Sequence, residues 1–292
     1  VSIGASIVEA ISLATGRDFE ADGQQSAGGG CINHTEILTG RDGRRFFVKL
    51  NDRRHADMFA AEAAGLEELE AADAIRVPHP VTQGVAGGHA FLVLEWLPLG
   101  GRGSGAELGR RVANLHRTTW TAFGWKRDNT IGSTRQPNPP GNDWLVFYAT
   151  HRLGHQLALA GRNGIGRQTV DRGEALRARL ADFFPGHTPL PSLLHGDLWG
   201  GNFGYADGVP VLFDPAVYFG DREADLAMTE LFGGFPADFY AAYRETWPLD
   251  PGYGTRKTLY NLYHVLNHYN LFGGGYAGQA RAMIDRLLAE AQ

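Results

Sequence analysis

Two short runs bearing apolar residues flank a polar, glycine-bearing turn within residues 31–50, and then the pattern changes. The runs CINHTEIL (31–38) and RRFFVKL (44–50), separated by Thr39-Gly40-Arg41-Asp42-Gly43, predict a hairpin of two short strands. From about 56 to 72 the apolar stripe becomes helical, with Phe59, Glu62, Leu66 and Leu69 on one face. Val81–Val85 and Ala90–Trp96 predict a second strand pair around Ala86-Gly87-Gly88. The opening stretch VSIGASIVEAISLATG predicts a short amphipathic helix. It carries an acid, and it lacks the basic start and long apolar run of a signal peptide.

The stretch LPLGGRGSG (97–105) is rich in glycine and proline and predicts a linker. Beyond it the pattern is mostly helical. Ser104 and Glu107 form a capping box, and Leu108, Val112 and Leu115 line one face of the helix that follows. A long polar loop is expected over 123–143, with helices over Trp144–Leu159 and Asp171–Phe184. Short strands are expected at Ser192–Leu194 and Val209–Phe213, and helices over 222–247 and 255–291. The expected class is α+β in two lobes. A small lobe, 1–97, holds an antiparallel sheet and one long helix, and a larger, mostly helical lobe spans 98–292.

Composition narrows the function. The 292 residues are 43% hydrophobic and 20% charged, as in an ordinary globular chain. With 27 basic and 32 acidic residues the net charge is −5, so the basic footprint of a nucleic-acid partner is missing. No apolar run is long enough to span a membrane. The lone cysteine, Cys31, has no partner for a disulfide within the chain, which fits a reducing, cytoplasmic setting.

Five polar residues stand in chosen contexts. Lys49 closes the apolar run Phe46-Phe47-Val48, and Glu62 sits on the apolar face of the next helix. Asp197 and Asn202 share the glycine-loosened stretch LLHGDLWGGN, and Asp214 follows Val211-Leu212-Phe213. Singly each has a plain structural explanation: an edge charge, a snorkelling acid, a turn residue. Together and in this order they match the needs of phosphoryl transfer from ATP, where the protein positions a highly charged group and neutralises it. Lys49 would hold the α- and β-phosphates, with Glu62 fixing its direction. Asn202 and Asp214 offer the oxygen ligands that Mg²⁺ prefers. Asp197 would take or orient the proton of an attacking hydroxyl. The run Gly28-Gly29-Gly30 can fold over phosphates through its backbone N–H groups, or serve as a plain flexible turn. After Asp214 little room remains for a peptide-docking segment, and Gly196 stands where protein kinases carry an arginine. A small acceptor, or a small adduct on a protein, is therefore expected.

Across nearly its whole length the chain resembles the fructosamine kinase (ketosamine 3-kinase) family. This family lies within the aminoglycoside phosphotransferase and protein-kinase-like fold. The resemblance rests on GGGCIN (28–33), FFVKLN (46–51), MFAAEAAGLEEL (58–69), AFLVLEWL (90–97), FGWKRDNTIGSTRQPN (123–138), LLHGDLWGGN (193–202), FDPAVYFGDREADLAM (213–228) and LNHYNLFGGGY (266–276). The segments 123–138 and 266–276 are the family-specific ones. The resemblance implies ATP- and Mg²⁺-dependent phosphorylation of the sugar 3-hydroxyl of ketosamines, followed by loss of the unstable adduct: deglycation repair. It implies Asp197 as catalytic base, Asn202 and Asp214 as metal ligands, and Lys49 with Glu62 as the phosphate-holding pair. It also implies a hinge at Glu95, Trp96 and Leu97 that meets adenine. Asp225 would brace the catalytic loop that contains His195.

Trp199 is the expected sugar platform, since an indole face packs on the apolar face of a sugar. His268 and Asn270 are candidates for substrate hydroxyls. Cys31, beside the glycine run, is a candidate redox site that could link two chains, so both a monomer and a homodimer remain open. The residues also leave open a kinase for an aminoglycoside, choline or sugar, and a nucleotide-binding pseudokinase.

Overall fold

The computed structural model describes residues 3–28 and 33–291. By internal contacts the chain forms two compact units, Val1–Gly103 with Gly204–Pro215, and Ser104–Phe203 with Ala216–Gln292.

The first unit starts with helix α1 (Ile3–Thr15), strands β1 (Ala21–Ser26), β2 (His34–Gly40) and β3 (Arg45–Asp52), helix α2 (Ala56–Ala71), and strands β4 (Pro80–Ala86) and β5 (His89–Glu95). The five strands form one antiparallel sheet in the order β1-β2-β3-β5-β4. Side chains alternate across a strand. Phe46, Val48 and Leu50 of β3 therefore share one apolar layer with Ile7 and Ile11 of α1 and with Phe19, Phe91 and Val93. The same alternation sends Lys49 to the opposite face, where α2 presents Glu62 between the buried Phe59 and Leu66.

The second unit continues with α3 (Gly105–His116), the hairpin β6 (Asn129–Ile131) and β7 (Thr134–Gln136), α4 (Trp144–Phe147), a π-helical segment Tyr148–Gly154, α5 (His155–Arg162), α6 (Arg167–Arg177) and β8 (Ser192–Leu194). Strands β9 (Phe203–Ala206) and β10 (Val209–Leu212) pair with each other. Then come β11 (Tyr218–Gly220), α7 (Glu223–Leu231), α8 (Ala237–Thr246), α9 (Tyr253–Phe272) and α10 (Tyr276–Glu290). Helix α9 runs through the middle of this unit, packed by α5, α7 and α10. Helix α3 starts on its predicted cap, with the Glu107 N–H donating to Ser104 Oγ at 3.1 Å.

By contacts the first unit runs to Gly103 and takes in 204–215, where Gly100 N–H donates to the Tyr205 carbonyl at 2.9 Å, Leu99 bridges Ala206, and Arg76 bridges Val211. Several expectations need correction. The polar loop 123–143 contains the β6–β7 hairpin, whose buried amides hide it from a hydrophobicity pattern. The helix expected over Trp144–Leu159 is interrupted by the π segment, and β1 and β11 were not anticipated. Strand β8 pairs antiparallel with β11, and the strand expected at Val209–Phe213 is β10, paired with β9. Among the described residues, no helix is long and apolar enough to cross a membrane.

Helices α3 and α8 approach closely at Gly109, where a Cβ would lie 2.3 Å from the Phe239 carbonyl oxygen. Gly109→Ala should therefore destabilise the protein by roughly 1–3 kcal/mol, through forced separation of these helices. Urea unfolding of the two proteins checks this, and an unchanged midpoint would refute it.

Candidate active site

In the first unit, the Lys49 ammonium lies between two carboxylates. It donates to Glu62 Oε1 at 2.5 Å and also to Asp214 Oδ1. Lys49 is 4% exposed, so an unpaired charge there would be costly. Burial pulls its pKa down, but the Asp214 and Glu62 charges outweigh burial and raise it, so Lys49 is a firm cation. Burial pushes the Glu62 carboxyl up, Lys49 opposes this, and the Asp214 charge adds to the rise. Asp214 reaches the lysine from a left-handed backbone (φ 56°), a conformation that aspartate tolerates better than most residues. Its side chain is 44% exposed. One ammonium against two carboxylates leaves an excess negative charge with oxygen donors, which suits a hard divalent cation such as Mg²⁺.

In the second unit, the catalytic-loop candidate follows β8. Trp199 N–H donates to the Asp197 carbonyl at 3.1 Å and Asn202 N–H to the Trp199 carbonyl at 3.0 Å, closing a tight turn. Within it, Asn202 Nδ2 donates to Asp197 Oδ2 at 3.1 Å and to the Asp197 carbonyl at 2.9 Å. The asparagine thus sets the direction of the aspartate. Gly201 lets the Trp199 ring fold back, because a Cβ there would lie 2.3 Å from that ring.

The base of the loop is held by Asp225, in the first turn of α7. Its carboxylate accepts from the N–H of His195 at 2.7 Å, the N–H of Gly196 at 2.9 Å, and His116 Nε2 at 3.1 Å. Burial would raise the Asp225 pKa, but the His116 hydrogen bond, the histidine charges and the Gly196 N–H together lower it. His116 is held in turn by the Tyr243 hydroxyl at 2.8 Å. Gly196 has φ 82°, and a Cβ there would lie 2.0 Å from the Ala216 carbonyl oxygen.

That Ala216 carbonyl is also gripped from the β6–β7 hairpin. Gln136 Nε2 donates to it at 3.0 Å, and Asn129 Nδ2 donates to the Val217 carbonyl at 2.7 Å. Tyr263 of α9 donates to Gln136 Oε1 at 2.6 Å. Beside this cluster, Arg152 of the π segment bonds Asn138 and the Pro137 carbonyl, with its guanidinium 3.9 Å from the Tyr218 ring centroid.

The sequence candidates thus fall into place unevenly. Lys49, Glu62 and Asp214 meet, as do Asp197, Asn202, Trp199, His195 and Asp225. Trp199 is 38% exposed, as a platform needs and a core aromatic would not be. His268 reaches Trp199 through one ring: Phe232 lies 6.3 Å from Trp199 and 4.8 Å from His268 between centroids. The Asn270 amide donates to the Gln156 carbonyl and side chain and accepts from Asn163, so it ties α9 to the α5 region.

At the expected hinge, the Glu95 N–H is spent on the His79 carbonyl and the Glu95 side chain on Arg76, while Trp96 stacks under Arg45. Leu97 accepts from Leu99 N–H. Any adenine contact there uses other main-chain groups. Gly28 lies in open space, and Gly29, Gly30 and Cys31 fall outside the described residues. His116, Tyr243, Asn129, Gln136 and Phe232 escaped the sequence reading. The one available signal was the run of amides in 123–138, too polar for an ordinary core.

The fructosamine kinase family model matches residues 4–290. A protein named probable ketoamine kinase from Synechocystis is 48% identical over 97% of this chain and 96% of its own. The chloroplastic protein-ribulosamine 3-kinase of Arabidopsis thaliana is 44% identical over 90% of this chain and 82% of its own. A crystal structure from Haemophilus somnus, of a protein provisionally designated a fructosamine-3-kinase, superimposes with a TM-score of 0.89. It is 31% identical and covers 97% of this chain and 96% of its own. An ADP-bound aminoglycoside phosphotransferase shares the fold alone, at TM-score 0.60 and 13% identity.

Asp225→Asn should cost roughly 3 kcal/mol at neutral pH, the scale for breaking a buried charge cluster. The folded pKa is lowered, so this stabilisation is complete above the unfolded value and is lost as pH falls through the folded one. The stability gap between the two proteins should accordingly narrow below about pH 4. Denaturant titrations at neutral and acid pH check both statements, and a gap independent of pH would contradict them.

Proposed function

The chain belongs to the fructosamine kinase family, and on that footing we propose that it is an ATP-dependent kinase for the sugar 3-hydroxyl of ketosamines. The acceptors are fructosamine and ribulosamine adducts, and the activity is deglycation repair. The observation that carries the reading is Asp197, aimed by Asn202 on a loop pinned by Asp225, with the exposed Trp199 ring on the same turn.

Each residue has work suited to its chemistry. Lys49, fixed by Glu62, neutralises the α- and β-phosphates. Asp214 and the Asn202 side-chain oxygen would hold Mg²⁺, which would neutralise charge on the phosphate oxygens. Asp197 accepts the proton of the sugar hydroxyl as that oxygen takes the phosphoryl group. Trp199 carries the apolar face of the sugar, and His268 serves its polar side. The backbone of Glu95, Trp96 and Leu97 is assigned to adenine, and the stretch Gly28-Gly29-Gly30 to the phosphates. The name of the Arabidopsis relative, a protein-ribulosamine 3-kinase, supports adducts carried on protein. The single cysteine supports a cytoplasmic setting. The intact set of Lys49, Glu62, Asp197, Asn202 and Asp214 speaks against a pseudokinase.

Incubation of ribuloselysine and fructoselysine with the protein, ATP and Mg²⁺ should give a phosphate-sized mass gain. Asp197→Asn should bind nucleotide nearly as well and lose about a hundredfold or more of the turnover. A variant with undiminished rate would remove Asp197 from its role.

A further inference from the structure

We propose that Phe232, Phe272 and Tyr276, gathered around His268, form a subsite for the amine-side substituent of the ketosamine, favouring substituents with an alkyl or aromatic body. The inference rests on the ketosamine kinase reading and adds to it the half of the substrate that the sugar site leaves unplaced.

The rings form one connected series that starts on the catalytic loop. Trp199, two residues after Asp197, meets Phe232 edge to face, and Phe232 packs on His268. His268 then touches Phe272 at 5.7 Å and Tyr276 at 5.2 Å between centroids. Three elements supply the outer rings. Phe232 ends α7, Phe272 lies one turn beyond His268 on the same face of α9, and Tyr276 opens α10 after the glycine turn. Phe272 is 55% exposed and Trp199 38% exposed, so the series surfaces at both ends. Scattered exposed aromatics are ordinary, but a contiguous set that leads away from a reactive carboxylate is a binding feature.

The chemistry of the acceptor says what goes there. In a ketosamine the amine is on C1, two bonds from the C3 that bears the reacting hydroxyl. With that hydroxyl at Asp197 and the sugar on Trp199, the nitrogen and its substituent must leave the loop close by. The secondary amine is protonated at neutral pH, and π-faces attract a cation. His268 fits this role. Its Nδ1 donates to the His264 carbonyl at 2.8 Å, so the proton sits on Nδ1 and Nε2 is the accepting nitrogen. Burial keeps the imidazole below its usual pKa, against the His264 hydrogen bond, so the ring is neutral and does not repel an ammonium. Beyond the nitrogen, the side faces of Phe272 and Tyr276 are matched to an alkyl or aromatic chain such as a lysine stem.

The test compares two ribulosyl adducts that differ only in the amine, methylamine and phenethylamine, by their kcat/KM. The wild-type protein should favour the phenethylamine adduct by roughly tenfold, the scale of one buried aromatic contact. In Phe272→Ala and in Tyr276→Ala that preference should fall several-fold, and Phe272→Tyr should retain it. Phe272 is largely exposed, so its truncation leaves the packed helices alone. Lack of preference in the wild type, or a preference kept by both alanine variants, would overturn the subsite while leaving the kinase reading intact. No phosphorylation of either adduct by the wild type would overturn the kinase reading itself, and the subsite with it.

Discussion

The unit that holds the Asp197 loop is organised around one buried carboxylate. Asp225 collects two consecutive backbone N–H groups and an imidazole, and those backbone groups belong to the residues just before Asp197. Two successive donors can point at one acceptor only if the chain bends sharply, and the left-handed Gly196 supplies that bend. The acid therefore does more than satisfy its own charge. It selects the loop conformation in which Asn202 can hold Asp197 and Trp199 can lie open. Its position in the first turn of α7 is favourable as well, because helix N-termini attract negative charge.

The sheet unit solves a different problem, that of keeping a charged lysine nearly buried. Strand alternation separates Lys49 from the apolar layer made by its own neighbours Val48 and Leu50. Helix α2 then brings Glu62, and the turn at Asp214 brings a second carboxylate. The pair of acids costs desolvation, and the lysine offsets it only because both contacts are direct. The outcome is a fixed cation beside surplus oxygen donors.

Sequence periodicity revealed those parts of the structure where one side chain type repeats on one face. The strands β2 to β5, helix α2 and the capped start of α3 were readable for that reason, and Lys49, Glu62, Asp197, Asn202 and Asp214 stood out by their local context. What stayed hidden depends on contacts across long sequence separations. His116 and Tyr243 meet Asp225 from distant helices, and Asn129 and Gln136 bury amides under a loop that looked solvated. The π segment gives no periodic signal of its own, although it carries Arg152 into an aromatic surround. Strand β11 has three residues, too short for any pattern, and it pairs with β8 across a long sequence separation.

Gly196 sets a limit on control as well as on shape. Here no side chain of any kind fits, since the space is filled by the Ala216 carbonyl. The loop is assembled by internal bonds and has no handle for a covalent signal at that point. Its shape is therefore held from within its own unit, by Asp225 at its base, Gln136 on the Ala216 carbonyl and Asn202 across the turn.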